Sequence, residues 1–585
     1  MSAANYHELQ KHLEGVNPYD QAYFLGLYEQ LQDPKREQVA LGKNCLPTSF
    51  ISKEERAQIA HEVDGAAIEA NERYAQIARS TVVDNYDLNA GLGSSLGMQR
   101  YYANLLRQLG LPEDTPLGTK GSSLGYPGPD GRIYTGAQIK ANRILKEAGR
   151  LGQINICTVV NEDSDPVMRA VYEGRAALGD IDKTYTQLFD EAGNIGFGEW
   201  LHQGKIPTLD ANKKITREHM APGSHGHAGV MLMQHIRHTK PRTEYDVSIM
   251  YNGDGASNFV TPNQIGYTAA EAAMVLYSKR KSKRDKKGGF TTVYQLPSGI
   301  WVPGIMELAQ AKEADQEEFF YDTGIRDNNV PQELAANHHL GEQGFNTNNA
   351  SFNNNFLHKF FNAIVKKRGE AYFNRFAAPE LMLNKKVDGK TGEMYYQMEG
   401  ALASLMFNMN AKVQEDVELQ ELWNEISGGK PFLKIVYMEE DLSQKCFSPI
   451  KYGIDHHMYT ATDLYSLDID NWHMTEHFPG EGPRFEGDFV KSGKYFSDVQ
   501  NVHDALGNAK MRHLDEFSVT GAFHAPDAEW KGMVEIDAGG HPQPLDLTDP
   551  ALATHLGLFQ DGQFVFENIK IIRDKQGNIR QEALN

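Results

Sequence analysis

Hydrophobic and polar residues follow different periods in successive parts of the chain. Charged and apolar residues interleave at helical spacing over residues 53–79, where there is no proline, and this predicts a helical segment over residues 1–80. Residues 154–160 and 245–250 are short β-branched runs that alternate with helical stretches. Such alternation indicates an α/β sheet whose functional loops lie at the strand ends.

Residues 476–585 are rich in Gly, Pro and Asp and contain short strand-like runs, for example residues 563–569. A chain of 585 residues exceeds the size at which a single hydrophobic core stops growing. We therefore predict three parts: an N-terminal helical segment at residues 1–80, a catalytic domain at 81–475 and a β-rich region at 476–585.

Composition places the chain among soluble globular proteins, with 40% hydrophobic and 23% charged residues. Its net charge of −20 argues against nonspecific binding of nucleic acid. No stretch approaches the roughly 20 apolar residues of a membrane span, and residues 1–10 lack the apolar core of a signal peptide. We expect neither a nucleic acid nor a membrane as a partner.

The three cysteines, Cys45, Cys157 and Cys446, are far apart in the sequence. They are too few for a disulfide framework and lack the close spacing of a zinc site, so reduced thiols in the cytoplasm are expected. Export by a route that needs no signal peptide stays open.

Residues 88–97 form a glycine-rich loop, Leu-Asn-Ala-Gly-Leu-Gly-Ser-Ser-Leu-Gly. Glycines after a strand let backbone N–H groups approach an anionic phosphate. The loop lacks the Lys-Ser/Thr ending of a P-loop and the spacing of a dinucleotide-binding loop. By itself it is a weak signal, and a turn that packs a helix on a strand explains it better.

Two lysines and one carboxylate change the interpretation of this loop. Lys120 precedes a Gly-Ser-Ser turn, Lys451 follows Phe-Ser-Pro-Ile, and Asp254 follows the apolar strand that ends at residue 250. A carboxylate at a strand end suits Mg²⁺ held between phosphate oxygens, and lysines neutralise phosphate charge. Together these residues predict a nucleotide site.

The chain resembles the UTP–glucose-1-phosphate uridylyltransferases, also called UDP-glucose pyrophosphorylases, in a series of short segments that occur in the same order along the chain. The similar segments are the glycine loop at 88–97, Pro-Gly-Ser-His-Gly at 222–226, Asn-Gly-Asp at 252–254, Lys-Gly-Gly at 287–289, Met-Glu-Leu-Ala-Gln at 306–310, Phe-Asn-Thr-Asn-Asn at 345–349, Gln-Met-Glu-Gly-Ala at 397–401, Phe-Ser-Pro-Ile-Lys at 447–451 and Ala-Thr-Asp-Leu at 461–464. The chain departs from the family pattern at Ala90, which replaces a glycine, and at Ser224, which is inserted. About 20 extra residues also separate Lys120 from the loop.

The resemblance implies roles for individual residues. Lys120, Lys451 and Asp254 would be catalytic, with Asp254 also binding Mg²⁺. The residues implied at the nucleotide are Leu88, Ala90, Gly91, Gly93, Gly223, His225 and Asn252. The residues implied at the sugar are Glu307, Asn346, Asn349 and Glu399, although Glu399 is equally well explained as a structural residue beneath the sheet.

The implied substrates are UTP and a hexose 1-phosphate. A sugar 1-phosphate oxygen would attack the α-phosphorus of UTP in line and release pyrophosphate, with glucose 1-phosphate as the first choice of sugar. Another sugar 1-phosphate, such as that of galactose or an N-acetylhexosamine, is a second interpretation, although the loop lacks the Gly-Thr-Arg of N-acetylhexosamine enzymes. A third is a protein of this shape that binds a nucleotide or a partner without turnover.

The fold implied is α/β: a Rossmann-like nucleotidyltransferase (GT-A-like) mixed sheet with an N-terminal helical segment and a C-terminal β-rich region. In the family the C-terminal region is a short β-helix that sometimes mediates oligomerisation. Its turns are not obviously regular here, so we do not predict that form, and a homo-oligomer or a regulatory protein partner stays open. A zinc site formed by His225, His227, His235 and His238 is disfavoured because no cysteine or carboxylate has suitable spacing.

Overall fold

The computed structural model describes residues 9, 11–33, 41, 45–59, 61–90, 97–115, 119–172, 183–282, 285, 288–316, 343–388, 391–478, 480, 482–491, 493–560 and 562–584. Its helices are Pro18–Leu31, Lys53–Ile59, Gly65–Glu69, Glu72–Ala78, Gln99–Gln108, Lys120–Ser123, Gly136–Ala148, Asp165–Tyr172, Tyr185–Ala192, His225–His238, Pro262–Glu271, Leu308–Glu313, Asn354–Arg368, Glu370–Phe376, Leu402–Glu415, Val417–Ser427, Glu440–Cys446, Gly453–Thr460, Val499–Leu506 and Pro550–His555. Among these helices, none has the length and apolar character needed to cross a bilayer.

A mixed sheet of 12 strands forms the centre of this part of the chain, which confirms the predicted α/β class. Its main path runs through Glu62–Asp64, Leu433–Met438, Met274–Arg280, Gly344–Asn353, Asp246–Asn252, Val82–Leu88, Gln153–Val160 and Ile195–Phe197. The side strands are Cys45–Pro47, Phe290–Gln295, Trp301–Met306 and Leu201–His202.

Strand direction decides which residues meet at one edge of this sheet. Val82–Leu88 is parallel to both Asp246–Asn252 and Gln153–Val160, so the carboxyl ends of these three strands lie together. Gly344–Asn353 is antiparallel to Asp246–Asn252, and therefore its first residues reach the same edge. The edge thus collects the ends of strands that are distant in sequence, as expected for a ligand site in an α/β fold.

Apolar residues alternate between the two faces of the sheet. Met250 and Leu276 belong to one buried core, whereas their neighbours Ile249 and Val275 belong to the other. Helices cover both faces, because strands that are apolar on both sides must be buried on both sides.

The N-terminal part differs from its prediction. It is largely helical, but Glu62–Asp64 pairs with Leu433–Met438 at one end of the sheet, and Cys45–Pro47 pairs with Phe290–Gln295. Each of these strands has three residues, which is too short to show a period of two in the sequence. The boundary at residue 80 stays a prediction.

A separate sheet of four strands lies beside the central one, in the order Ile215–Pro222, Lys205–Leu209, Met394–Glu399 and Met382–Val387. Two antiparallel pairs complete the part before the C-terminal region: Gly125–Pro127 with Ile133–Thr135, and Tyr465–Asp468 with His473–Glu476.

The C-terminal region has the arrangement of a β-helix. Consecutive strands stack in parallel, in the order Arg484–Gly487, Lys510–Thr520, Glu529–Asp537 and Gln563–Arg573. Phe523–His524 and Leu545–Asp546 form a second parallel pair, so successive turns of the chain add a strand to each of two sheets. Antiparallel strands Phe559–Gln560 and Ile579–Ala583 flank the last strand. The sequence did not predict this form, because its turns vary in length.

Stacked aromatic rings fill the interior of this β-helix. Trp530 is fully buried, with its ring centroid 4.3 Å from that of Phe566 and 4.5 Å from that of Phe517. The same apolar core includes residues of the helices Gln99–Gln108 and Gly453–Thr460. The C-terminal region therefore shares its core with the segments that adjoin the glycine loop and Lys451.

We expect Trp530→Ala to destabilise the protein by about 3–5 kcal/mol, because it removes a large buried side chain that packs between the rings of Phe517 and Phe566. Phe559 is 54% exposed, and Phe559→Ala serves as the control, with an expected change within about 0.5 kcal/mol. Chemical unfolding followed by far-UV circular dichroism, rather than by tryptophan fluorescence, measures the stability of both variants. Equal effects of the two substitutions would contradict the description of this core.

Candidate functional site

A cavity of about 350 Å³ opens at the edge where the strand ends meet. His225, Asn252, Glu307, Asn346 and Lys451 all line it, although the sequence spreads them over more than two hundred positions. The structure thus brings together five of the residues predicted to bind nucleotide, sugar or phosphate.

Lys120, Asp254 and Lys451 form a charged cluster beside this cavity. The Lys120 ammonium donates a hydrogen bond to Asp254 Oδ2 at 2.9 Å, and Lys451 Nζ lies 3.7 Å from the same oxygen. The side chains of Lys120 and Asp254 are 15% and 18% exposed. Burial alone would raise the pKa of Asp254, but the charges of Lys120 and Lys451 outweigh it and hold the pKa well below its ordinary value. Asp254 is therefore ionised throughout the physiological pH range.

Glycines allow the turns that carry these residues to pack backbone against backbone. A Cβ on Gly121 would overlap the carbonyl of Gly253, and a Cβ on Gly253 would overlap the carbonyl of Leu88. Gly136 packs in the same way on the carbonyl of Gly121. Any larger side chain at these three positions would push the turns apart and separate Lys120 from Asp254. The glycines therefore allow the short distance between the two charges.

The described part of the glycine loop supports this packing. Gly253 N–H donates to the Leu88 carbonyl at 3.2 Å, and Asn161 donates to the Ala90 carbonyl at 2.7 Å. The Thr119 hydroxyl donates to Asn89 Oδ1 at 2.8 Å, which ties the residue before Lys120 to the loop. The extra residues between the loop and Lys120 therefore do not displace this lysine. Gly91 and Gly93 lie outside the described residues, and their roles stay predictions.

Ser224 fits into the turn before the helix His225–His238 without disrupting it. Its hydroxyl donates to the Gly400 carbonyl and accepts a hydrogen bond from Gly400 N–H at 3.1 Å. The Gly223 carbonyl accepts from Gln203 at 2.9 Å, and Gly223 itself packs against the ring of His227 rather than lining the cavity. The inserted serine thus bonds to a neighbouring loop and leaves His225 at the cavity.

Asn252, Asn348 and His225 form a hydrogen-bonded chain along the cavity wall. The Asn348 side-chain amide donates to Asn252 Oδ1 at 2.8 Å and lies 2.9 Å from His225 Nδ1. Burial and the nearby Lys451 lower the pKa of His225 to about 4, so the ring is neutral at pH 7. Its Nδ1 accepts the amide hydrogen, which assigns the proton of the neutral ring to Nε2.

The structure places Asn349 away from the cavity that Asn346 and Asn348 line. Asn349 is fully buried and donates to the backbone carbonyls of Cys446 at 2.8 Å and Phe259 at 3.4 Å. The predicted sugar contact therefore does not fit this position, and Asn349 instead joins the strand to a loop and to the end of the helix Glu440–Cys446.

Asn348 lies in an irregular part of its strand. Tyr277 pairs with Asn349 and Ser278 pairs with Asn346, so Thr347 and Asn348 are extra residues on this strand, and Asn348 has a φ of 60°. Asn346 and Asn348 lie two positions apart and both line the cavity, whereas Asn349 does not. This is the alternation expected of a strand once Asn346 faces the cavity, but the resemblance of Phe-Asn-Thr-Asn-Asn to a family motif does not by itself show which asparagines face it.

The two predicted carboxylates of the sugar site differ in position. Glu307 lines the cavity at the start of the helix Leu308–Glu313, and burial raises its pKa to about 7 against a lowering by Lys451. Glu399 does not line the cavity but accepts a hydrogen bond from Asn384 at 3.1 Å within the four-stranded sheet. That placement favours the structural interpretation of Glu399.

The sequence motifs do not include Lys279 and Asp285, which also line the cavity. Lys279 Nζ lies 5.4 Å from the centre of the Phe345 ring and 5.8 Å from that of Phe447, and it pairs with Asp285 at 2.6 Å. Lys279 lies in a run of basic residues, a composition that is typical of solvated loops.

Asp254 Oδ1 is buried and has no hydrogen-bond partner among the described residues. Mg²⁺ is commonly bound by one or two carboxylates together with substrate phosphates, so this free oxygen fits the predicted role of Asp254. No three His, Cys, Asp or Glu side chains converge as metal ligands in the described ranges, which lends no support to a zinc site.

The fold is similar to that of solved UDP-glucose pyrophosphorylases. A mutant enzyme from Leishmania major in complex with UDP-glucose is 15% identical, with a TM-score of 0.61, and the match covers 97% of this chain and 99% of that one. A UDP-glucose phosphorylase from Trypanosoma brucei is 17% identical, with a TM-score of 0.61 and coverage of 97% and 98%. No protein-family model and no curated protein sequence matches the chain. At this identity the likeness shows a shared fold over almost the whole chain.

The raised pKa of Glu307 predicts a pH-dependent effect on stability. The folded state binds this proton more tightly than the unfolded state, whose pKa is near 4.5, so stability is lost as pH rises through 7. Glu307→Gln removes the cost of ionising a buried carboxyl group. The substitution should therefore raise Tm by about 2–4 °C at pH 8 but hardly at pH 5.

Thermal unfolding at the two pH values measures the effect, with Glu54→Gln as a control at an exposed glutamate. Equal shifts of Tm at pH 5 and pH 8 would show that Glu307 carries no buried charge in the folded protein.

Proposed function

We propose that the chain is a uridylyltransferase that joins UTP and a hexose 1-phosphate, glucose 1-phosphate in the first place, to form a UDP-sugar and pyrophosphate. The observation that carries the proposal is the convergence of Lys120 and Lys451 on Asp254 beside a cavity lined by His225 and Glu307. The UDP-glucose bound by a protein of the same fold adds support.

The two lysines would act on the charge of the reacting phosphates. The reaction needs no protein nucleophile, because an oxygen of the sugar 1-phosphate attacks the α-phosphorus and pyrophosphate leaves from the opposite side. Positive groups that are fixed before the reaction stabilise the charge that develops on the phosphate oxygens and leaving group. Lys120, held by Asp254 and by the Ile450 carbonyl, has such a fixed position.

Asp254 would hold Mg²⁺ together with oxygens of the nucleotide, through its unpaired Oδ1. Bound there, the metal would neutralise phosphate charge as a Lewis acid. Asp254 contributes a carboxylate that is already ionised, because the two lysines keep its pKa low.

The cavity walls would position the two substrates. The neutral His225 presents Nε2–H, and Asn348 and Asn252 hold the ring in place from its other side. Glu307 and Asn346 offer acceptors for sugar hydroxyls. Gly91 and Gly93 would add backbone N–H groups for the phosphates.

We also propose a cytoplasmic location, supported by the free and buried thiols of Cys45, Cys157 and Cys446. Assembly into a homo-oligomer and control by a protein partner stay predictions.

Pyrophosphate release, measured with a panel of nucleoside triphosphates and sugar 1-phosphates in the presence of Mg²⁺, tests the proposal. We expect the fastest release with UTP and glucose 1-phosphate. Faster release with galactose 1-phosphate or N-acetylglucosamine 1-phosphate would reassign the sugar. Absence of release with every pair would contradict the proposal and favour a protein that binds without turnover.

Lys451→Ala and Asp254→Ala should each lower kcat by about 10²–10³-fold, because each removes a charge next to the reacting phosphates. Lys445→Ala, at an exposed lysine six positions before Lys451, is the matched control and should retain activity. Circular dichroism of the purified variants verifies folding. Turnover of Lys451→Ala at the rate of the control would rule out its proposed role.

A further inference from the structure

Lys140 is a buried lysine behind the cavity that neither the sequence motifs nor the proposed mechanism uses. It lies on the helix Gly136–Ala148, and its side chain is 5% exposed. A buried ammonium needs nearby acceptors, because burial without them costs several kcal/mol. The acceptors of Lys140 therefore show what this charge does.

The ammonium of Lys140 contacts the turn that carries Asp254. It donates a hydrogen bond to the carbonyl of Gly253, the residue directly before Asp254. It also lies 3.7 Å from Oδ2 of Asp87, which is itself 4% exposed and belongs to the strand Val82–Leu88. Lys140 thus joins the ends of two neighbouring strands, Val82–Leu88 and Asp246–Asn252.

Packing and a hydrogen bond hold the Gly253 peptide from different sides. Burial lowers the pKa of Lys140, and the carboxylates of Asp87 and Asp254 oppose this shift without cancelling it. The Gly253 peptide packs on Leu88 and Gly121. The hydrogen bond from Lys140 adds a restraint on the direction of the Gly253 carbonyl, and the next residue in the chain is Asp254, whose carboxylate the reaction depends on.

We propose that Lys140 is a positioning residue that fixes the Gly253–Asp254 turn, and through it the carboxylate of Asp254, for uridylyl transfer. The proposal rests on the proposed function, and it adds a residue that touches neither substrate. Substitution of residues that orient a ligand-binding side chain typically lowers activity by about 10–100-fold, and we expect a loss of kcat in this range.

Lys140→Met removes the ammonium and keeps the length of the side chain, but it leaves Asp87 buried without its partner. The double variant Lys140→Met/Asp87→Asn removes both charges together, so we expect it to fold even if the single variant unfolds, which circular dichroism verifies. Lys146→Met is the control, because Lys146 lies on the same helix, is exposed and donates to the carbonyl of Asp470 instead.

Hydrogen exchange measured by mass spectrometry and steady-state kinetics test the proposal together. For the double variant we expect faster exchange in the peptide that covers residues 251–258, and kcat lower by about 10–100-fold with a smaller change in KM for UTP. The control should match the unmodified protein in both measurements.

A double variant that recovers normal kcat, or one with unchanged exchange over residues 251–258, would overturn the proposal, because the role of Lys140 would then be to neutralise Asp87. If the unmodified protein itself shows no turnover, the proposed function fails, while the exchange measurement still decides whether Lys140 fixes this turn.

Discussion

The close approach of three backbone turns, with Gly253 between Leu88 and Gly121, is the constraint on which the rest of the site depends. The three turns are the end of the strand Val82–Leu88, the residues Asn252 and Gly253 that precede Asp254, and the short helix Lys120–Ser123. Because no side chain separates them, a lysine and a carboxylate that are far apart in sequence form a 2.9 Å hydrogen bond. The glycines therefore determine the chemistry of the site even though they carry no functional group.

The site concentrates positive charge within an acidic protein. Lys120 and Lys451 both contact Asp254, whereas the chain as a whole has a net charge of −20. Partly buried charges of one sign are costly, and a polyanionic ligand would offset that cost on binding. This excess of lysines over carboxylate suits a triphosphate better than an uncharged sugar alone, and it links the geometry to nucleotide chemistry.

The sequence predicted the α/β class and the residues that meet at the sheet edge, because strand ends, glycines and charged residues leave local signals. It did not predict that Asn348 rather than Asn349 faces the cavity, because the motif resemblance does not show which side chains of the strand point to which side. Short strands such as Glu62–Asp64 were missed because three residues cannot show a period of two, and the β-helix was missed because its turns vary in length. Lys140 was missed because a lysine within a helix ordinarily lies at the surface, and only tertiary packing buries it.

The proposed function requires that a nucleoside triphosphate binds at the lysines beside Asp254. A crystal structure of the protein soaked with UTP in the absence of sugar phosphate tests this binding most directly. We expect phosphate oxygens within hydrogen-bonding distance of Lys120 and Lys451, with the uracil and ribose in the cavity lined by His225 and Asn252. Density for UTP at another surface of the protein, with this cavity empty, would contradict the account.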